Sequence, residues 1–155
     1  MSTAKAAVTG GFTVELRDQK AGTCLDAEAS QSHNGGTIYQ QACKSGDKRE
    51  QWTVLDTLGK LPIFRNNATH LCLDVDPSQL RNGGKVYQWA CDRAAKAEQW
   101  WFRGSGRLNA GGNADAGLKN ERSGRCPAAD SKDPKPGGAV FQWACDSRNA
   151  FQLWN

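Results

Sequence analysis

Six cysteines are the chemically most distinctive residues of this 155-residue chain, and their spacing is regular. Cys24 and Cys43, Cys72 and Cys91, and Cys126 and Cys145 are each 19 positions apart. One spacing recurring three times selects a disulfide within each pair. Tetrahedral metal binding would need short Cys-x-x-Cys knuckles, which are absent. Each disulfide closes a loop worth about 3 kcal/mol in the chain-entropy account. Persistent disulfides point to an oxidising compartment, so a secreted or extracellular protein is expected. The opening stretch MSTAKAAVTGG lacks the apolar region of a signal peptide. The expected resolution is a mature chain with an added Met1; a cytoplasmic protein with reduced thiols is the alternative.

Other reactive constellations are missing. His33 and His70 stand at unrelated places and belong to no Ser-His-Asp or Cys-His set. There is no phosphate-cradling glycine loop and no His-Glu-x-x-His helix. Asp74 and Asp76 could suggest glycoside hydrolysis, but neighbouring strand positions offer no cleft around a scissile bond. The stretch NADAG lacks the ligand spacing of a calcium loop. Asn67–Thr69 is a glycosylation sequon, relevant only in a eukaryotic secretory host. No enzyme activity, cofactor or metal is therefore expected. The net charge of +4 is spread along the chain without a basic block, which argues against nucleic acid as a partner. No apolar run is long enough for a membrane-spanning helix, so no membrane insertion is expected.

The elements that must position any site come from an internal repeat. YQQACK, YQWACD and FQWACD begin at Tyr39, Tyr87 and Phe141. Trp52, Trp100 and Trp154 follow in the same register, as do Leu16, Phe64 and Leu118 upstream. The first two units are offset by 48 residues and the last two by 54, so an insertion lies near Asn109–Gly117. Each unit reads as strand, turn, Cys strand, Gly-Gly turn, aromatic strand, loop and Trp strand. The Gly-Gly pairs suit turns that need positive φ. Alternation along Tyr87–Cys91 marks a short strand with two distinct faces. Composition and turns give an all-β class. Units of about 50 residues cannot bury a core alone, so three close around a pseudo-threefold axis with the three tryptophans inside.

These residues resemble the ricin B-type β-trefoil lectins, including the family-13 carbohydrate-binding modules. The resemblance rests on CLD at Cys24–Asp26 and Cys72–Asp74, the Gly-Gly hairpin with its following Cys, and the terminal Trp. It covers residues 12–155 as one domain, after a flexible segment 1–11, with repeats near 12–57, 58–104 and 105–155. It implies a β-trefoil: a six-stranded barrel capped by three hairpins. Only Gln152–Trp154 keeps the family's Gln-x-Trp signature; the other copies have Glu50 and Glu98 in place of Gln. In the resembling lectins this Gln supports the site Asp, and Glu donates only when protonated. Either the Glu points elsewhere or Gln51 and Gln99 take the supporting role.

The resemblance also implies sites. A sugar needs an acceptor for its hydroxyls and an aromatic wall for its C–H patch. Carried over, the sugar-binding residues are Asp26, Tyr39 and Gln41 in the first repeat, and Asp74, Tyr87 and Trp89 in the second. The second set is the fullest. In the third repeat Ala128 replaces the acceptor beside Phe141 and Trp143, so it is expected to be inactive unless Asp130 reaches in. The expected function is non-catalytic, multivalent carbohydrate binding, with galactose-type or polysaccharide ligands and a partner enzyme or toxin subunit. The rival is a protein-binding trefoil, such as a protease inhibitor or adaptor, acting through Asn109–Gly117 or Ser131–Gly138.

Overall fold

The computed structural model describes residues 12–55, 61–103, 117–146 and 148–154. The N-terminal segment 1–11 and most of the insertion near Asn109–Gly117 lie outside the described residues. Four strands follow one another in each of the first two repeats: β1 (Phe12–Glu15), β2 (Cys24–Ala27), β3 (Ile38–Gln41) and β4 (Gln51–Leu55), then β5 (Ile63–Asn66), β6 (Cys72–Val75), β7 (Val86–Trp89) and β8 (Trp100–Arg103). The third holds β9 (Gly117–Asn120), β10 (Cys126–Ala129) and β11 (Val140–Trp143), with Leu153 and Trp154 forming bridges in place of a full strand. Among the described residues helix is confined to single 3₁₀ turns at Ala29–Gln31, Lys48–Glu50, Lys96–Glu98 and Ala150–Gln152.

These strands form the β-trefoil that the repeat pattern predicts. β1 pairs with β4, β4 with β5, and β8 with β9, all antiparallel. Bridges from Leu153 to Gly117 and from Trp154 to Asp18, and the Trp100 N–H on the Pro62 carbonyl, continue the barrel wall. The hairpins β2–β3, β6–β7 and β10–β11 cover one end and meet through the bridges Thr37–Tyr87, Tyr39–Ala139 and Lys85–Phe141. Disulfides Cys24–Cys43, Cys72–Cys91 and Cys126–Cys145 pin each hairpin to its own repeat, with Cα–Cα distances of 5.0, 5.0 and 5.1 Å.

Trp52, Trp100 and Trp154 are buried in one apolar core with Leu16, Phe64 and Leu118. Burying an indole leaves one polar N–H to satisfy. Each ring donates it to the strand after the first Cys of its repeat: Trp52 to the Leu25 carbonyl, Trp100 to Leu73 and Trp154 to Pro127, at 3.0, 3.1 and 3.0 Å.

The glutamine at the centre of each aromatic strand is equally buried. Gln40, Gln88 and Gln142 are at most 1% exposed. Their amides cross between repeats. Gln88 Nε2 donates to the Glu28 and Thr37 carbonyls of the first repeat, both at 3.3 Å. Gln142 Nε2 reaches Gln79 and Lys85 of the second at 3.1 Å, and Gln40 Nε2 reaches Asp133 and Ala139 of the third at 3.2 and 2.9 Å. Their backbones pair with the Gly-Gly turns of the same neighbours: the Gln88 N–H bonds the Gly36 carbonyl, and the Gly35 N–H bonds the Gln88 carbonyl. Gly35, Gly83 and Gly137 have φ of 89°, 87° and 89°. Gly36, Gly84 and Gly138 are required for space, since an added Cβ would collide with the Gln31, Gln79 or Asp133 carbonyl.

Another set holds the first turn of each repeat. Asn66 and Asn120 are buried, accept turn N–H groups on Oδ1, and donate Nδ2 to the Arg49 and Ala97 carbonyls at 2.8 and 2.7 Å. Asp18 fills the same place, accepting from Lys20 and Ala21, but its Oδ2 is buried without a partner. Burial pushes its carboxyl up to about 7.

Two stability outcomes follow. Gln88→Leu strands the carbonyls it satisfies and should lower unfolding free energy by about 1–3 kcal/mol, measured by chemical denaturation. Asp18→Asn restores the missing donor and should raise the melting temperature. A group with a raised folded pKa stabilises fully below its unfolded pKa and loses that contribution as pH rises through about 7. The gain from Asp18→Asn should therefore be larger at about pH 9 than at about pH 5.

Candidate functional site

Strand register decides which side chains share a face. In β2–β3 Asp26 lies opposite Tyr39, in β6–β7 Asp74 lies opposite Tyr87, and in β10–β11 Ala128 lies opposite Phe141. Directly opposed residues project to the same side of an antiparallel pair, and so does the residue two positions along. Asp74, Tyr87 and Trp89 are thus brought together on the outer face of the second hairpin, and Asp26, Tyr39 and Gln41 on that of the first. The buried glutamines between the aromatics face inward.

The second repeat has an acid beside a bent aromatic wall. Tyr87 is half-buried, Trp89 is 39% exposed, and their ring centroids are 5.4 Å apart at 31°. Trp89 stands close to Gly35, so the wall borders the first repeat's turn. Asp74 is 6% exposed, and its Oδ1 is buried without a protein donor. Its side-chain partner is Glu98, from the turn Lys96–Glu98. Burial pushes Asp74 up to about 6, against the pull of the Val75 N–H and then of the Glu98 carboxyl, and burial pushes Glu98 up to about 8, with the Asp74 charge adding to the rise. Burial, then the charge of Asp74, also pushes Tyr87 up to about 12. Glu98 therefore does not point elsewhere. Gln99 does not take its place: the Gln99 amide donates to the Arg93 carbonyl at 2.8 Å.

The first repeat is balanced by different charges. Asp26 is fully buried and neither carboxylate oxygen has a hydrogen-bond partner. Burial pushes it up to about 7, against the attraction of Arg49. Arg49 forms a two-pronged pair with Asp47, at 3.1 and 2.8 Å. Glu50 accepts the Lys44 N–H at 2.8 Å, and the carboxylates of Asp26, Asp47 and Glu50 approach within 4.8 Å of one another. The Tyr39 hydroxyl donates to Glu28 at 2.9 Å. Arg49 escaped sequence reasoning because its neighbours in register are Ala97 and Phe151, so no repeat signal marks it.

In the third repeat Phe141 and Trp143 form a similar wall, 5.7 Å apart at 46°. They border a hollow of about 610 Å³ lined also by Ala128, Lys132 and Phe151. Asp130 lines it, but its Oδ1 accepts the Lys132 N–H at 2.9 Å. The equivalent residues Asp76 and Glu28 cap their loops in the same way, on Ser78 and Ser30. Asp130 thus serves its turn, as does Asp76, whereas Asp26 and Asp74 serve no turn.

Five buried acids, Asp18, Asp26, Glu50, Asp74 and Glu98, have raised pKa values, and each gives stability that fades as pH rises above its unfolded value, for Asp18, Asp26, Asp74 and Glu98 toward about 6 to 8. Glu28, Asp47 and Asp76 are lowered by their hydrogen bonds, so their contribution fades only in stronger acid. The melting temperature, followed by calorimetry, should peak near about pH 5 and fall by several degrees toward about pH 9.

Comparison with known proteins agrees with this geometry. The profile of the ricin-type beta-trefoil lectin domain matches residues 12–154. No curated protein sequence matches the chain. The designed threefold-symmetric protein ThreeFoil is 20% identical with a TM-score of 0.78, over 92% of this chain and 96% of its own. The Macrolepiota procera ricin B-like lectin in complex with lactose is 19% identical with a TM-score of 0.72, over 94% of both chains. The hemolytic lectin CEL-III is 26% identical with a TM-score of 0.67, over 93% of this chain but 29% of its own, so this chain spans under a third of that protein. Three disulfide-pinned repeats, three core tryptophans and a family match over nearly the whole described length give one conclusion: the chain belongs to the ricin-type beta-trefoil lectin family.

Proposed function

We propose that the chain is a non-catalytic lectin whose strongest site is the outer face of the second hairpin, with Asp74 as hydroxyl acceptor and Tyr87 and Trp89 as the wall for a sugar's C–H face. The carrying observation is the buried Asp74 Oδ1 without a protein donor, beside an exposed tryptophan. A buried acceptor gains most from a ligand hydroxyl, because unmet hydrogen-bonding capacity is costly away from water. Galactose-type termini or polysaccharides are the ligand class, since one acid and one aromatic wall match a ring with a hydroxyl edge and an apolar patch.

The first repeat supplies a second site of different character. Gln41 gives no ring, and the Tyr39 hydroxyl is already engaged with Glu28. Asp26, held near Arg49, remains the acceptor. In the third repeat Ala128 offers none, so two sites act together on a glycan-coated surface through effective concentration. Three disulfides suit an extracellular setting. Attachment to an enzyme or toxin subunit is supported by CEL-III and a Clostridium thermocellum exo-β-1,3-galactanase, in each of which the similar part is 29% of the chain.

A glycan array tests this reading. Wild-type protein should bind galactose-terminated glycans, and Asp74→Ala should weaken the strongest binding about ten- to a hundredfold. No binding to any glycan defeats the lectin reading, and undiminished binding by Asp74→Ala defeats the assigned site. Protease inhibition that survives Asp26→Ala and Asp74→Ala would favour a protein partner instead.

A further inference from the structure

Glu98 stands where the third repeat has Gln152, the amide of the Gln-x-Trp signature. One oxygen of each does the same job. Gln152 Oε1 accepts the Asp146 N–H at 2.8 Å, and Glu98 Oε1 accepts the Asp92 N–H at 2.7 Å. The other end differs. Gln152 carries a donor there, which bonds the Ala144 carbonyl at 3.0 Å. Glu98 carries a second oxygen, and its carboxyl pairs with that of Asp74: the Trp100 ring two residues on is anchored to the Leu73 carbonyl beside Asp74 at 3.1 Å, and the matching acids of the first repeat, Asp26 and Glu50, come within 4.8 Å of one another. Two carboxylates have no hydrogen to share, so a bond between Asp74 and Glu98 exists only while one of the acids keeps its proton. With both groups buried, full ionisation would set two like charges together away from water.

Resting on Asp74 as the sugar acceptor, we propose that Glu98 is the positioning residue of the second site, that it holds Asp74 through a shared proton, and that glycan binding there is lost as pH rises. Protonated Glu98 presents an O–H where a glutamine would present an N–H. Asp74 then keeps a single, oriented acceptor for the ligand. Loss of the last proton replaces that bond with repulsion and turns the acceptor away.

The surroundings reinforce the coupling. The charges acting on Asp74 and Glu98 are each other's, Asp76 beyond β6, and Asp92 beyond β7. All are acidic. Tyr87, across the hairpin on β7, stays neutral through the relevant range. From β5, Arg65 lies opposite Cys72 and not Asp74, and from β9 Lys119 is directed onto the Trp101 ring, 5.9 Å from its centroid. Arg93 follows Asp92 in the same loop and offers its carbonyl to Gln99. The first repeat balances its acids otherwise: Lys44 and Arg49 occupy the places of Asp92 and Ala97, and Arg49 draws both Asp26 and Glu50 down.

The test isolates the second site with Asp26→Asn and follows binding of a galactosylated polymer from about pH 6.5 to about pH 10. Affinity should fall by up to about tenfold per pH unit above about pH 8. Adding Glu98→Gln, whose amide keeps its donor at every pH, should flatten the profile. The same fall with and without Glu98→Gln overturns the proposal. Carboxyl-carbon NMR of the unliganded wild type should show Asp74 and Glu98 titrating as a pair, in two coupled steps above the ordinary carboxyl range, and Glu98→Gln should leave one step. Two ordinary carboxyl titrations overturn the proposal whatever binds. Absence of all glycan binding with the paired titration intact defeats only the sugar-site reading.

Discussion

The three repeats hold together because each buried glutamine amide enters the backbone of its neighbour. Gln40, Gln88 and Gln142 reach carbonyls of the third, first and second repeats respectively, closing a ring. The glutamine side chains themselves are buried, and an amide donor left unmet there is costly. The carbonyls of the next repeat meet this need, and a glycine without Cβ lets the neighbouring turn come close enough. The tryptophans fill the space beneath, but apolar packing alone has no preferred angle. Directional hydrogen bonds set the rotation of one repeat against the next.

That clamp also frees the site. Since the central glutamine of each aromatic strand points inward to join the repeats, its two neighbours along the strand must point outward together. Pairing with the Cys strand then places the residue two after the first Cys on the same outer face. The repeats differ mainly on this face. The clamp is the same glutamine in all three repeats, while the outer positions vary between Tyr, Phe, Trp, Gln, Asp and Ala. The acids below the face follow one theme: Asp18, Glu50 and Glu98 stand where sister repeats carry an amide. Each keeps an acceptor and loses a donor, and burial pushes the pKa of each upward.

Much of this was legible in the residues. Cysteine spacing gave the disulfides, the common register gave three repeats, and the regular tryptophans gave the core, because all three are periodic and periodicity survives without coordinates. Alternation along Tyr87–Cys91 correctly separated an inner from an outer face. The clamping role of the inner glutamine leaves no local signal, since its partners lie in another repeat about 50 to 100 residues away in sequence. Arg49 was equally silent. Asp130, a possible substitute acceptor on paper, proves to cap a turn because the strand ends before it.

By itself, then, the sequence determined the architecture: matched cysteines, glycines and tryptophans leave one way for three short units to bury a shared core. It also determined which hairpin carries an acid opposite two aromatics. Only the tertiary structure decided how the buried acids are balanced. Asp26 faces a guanidinium, whereas Asp74 meets Glu98. A carboxyl's charge state depends on solvent, cations and hydrogen bonds within a few ångströms of it. Those neighbours are assembled from separate strands and turns, and no spacing along the chain records them.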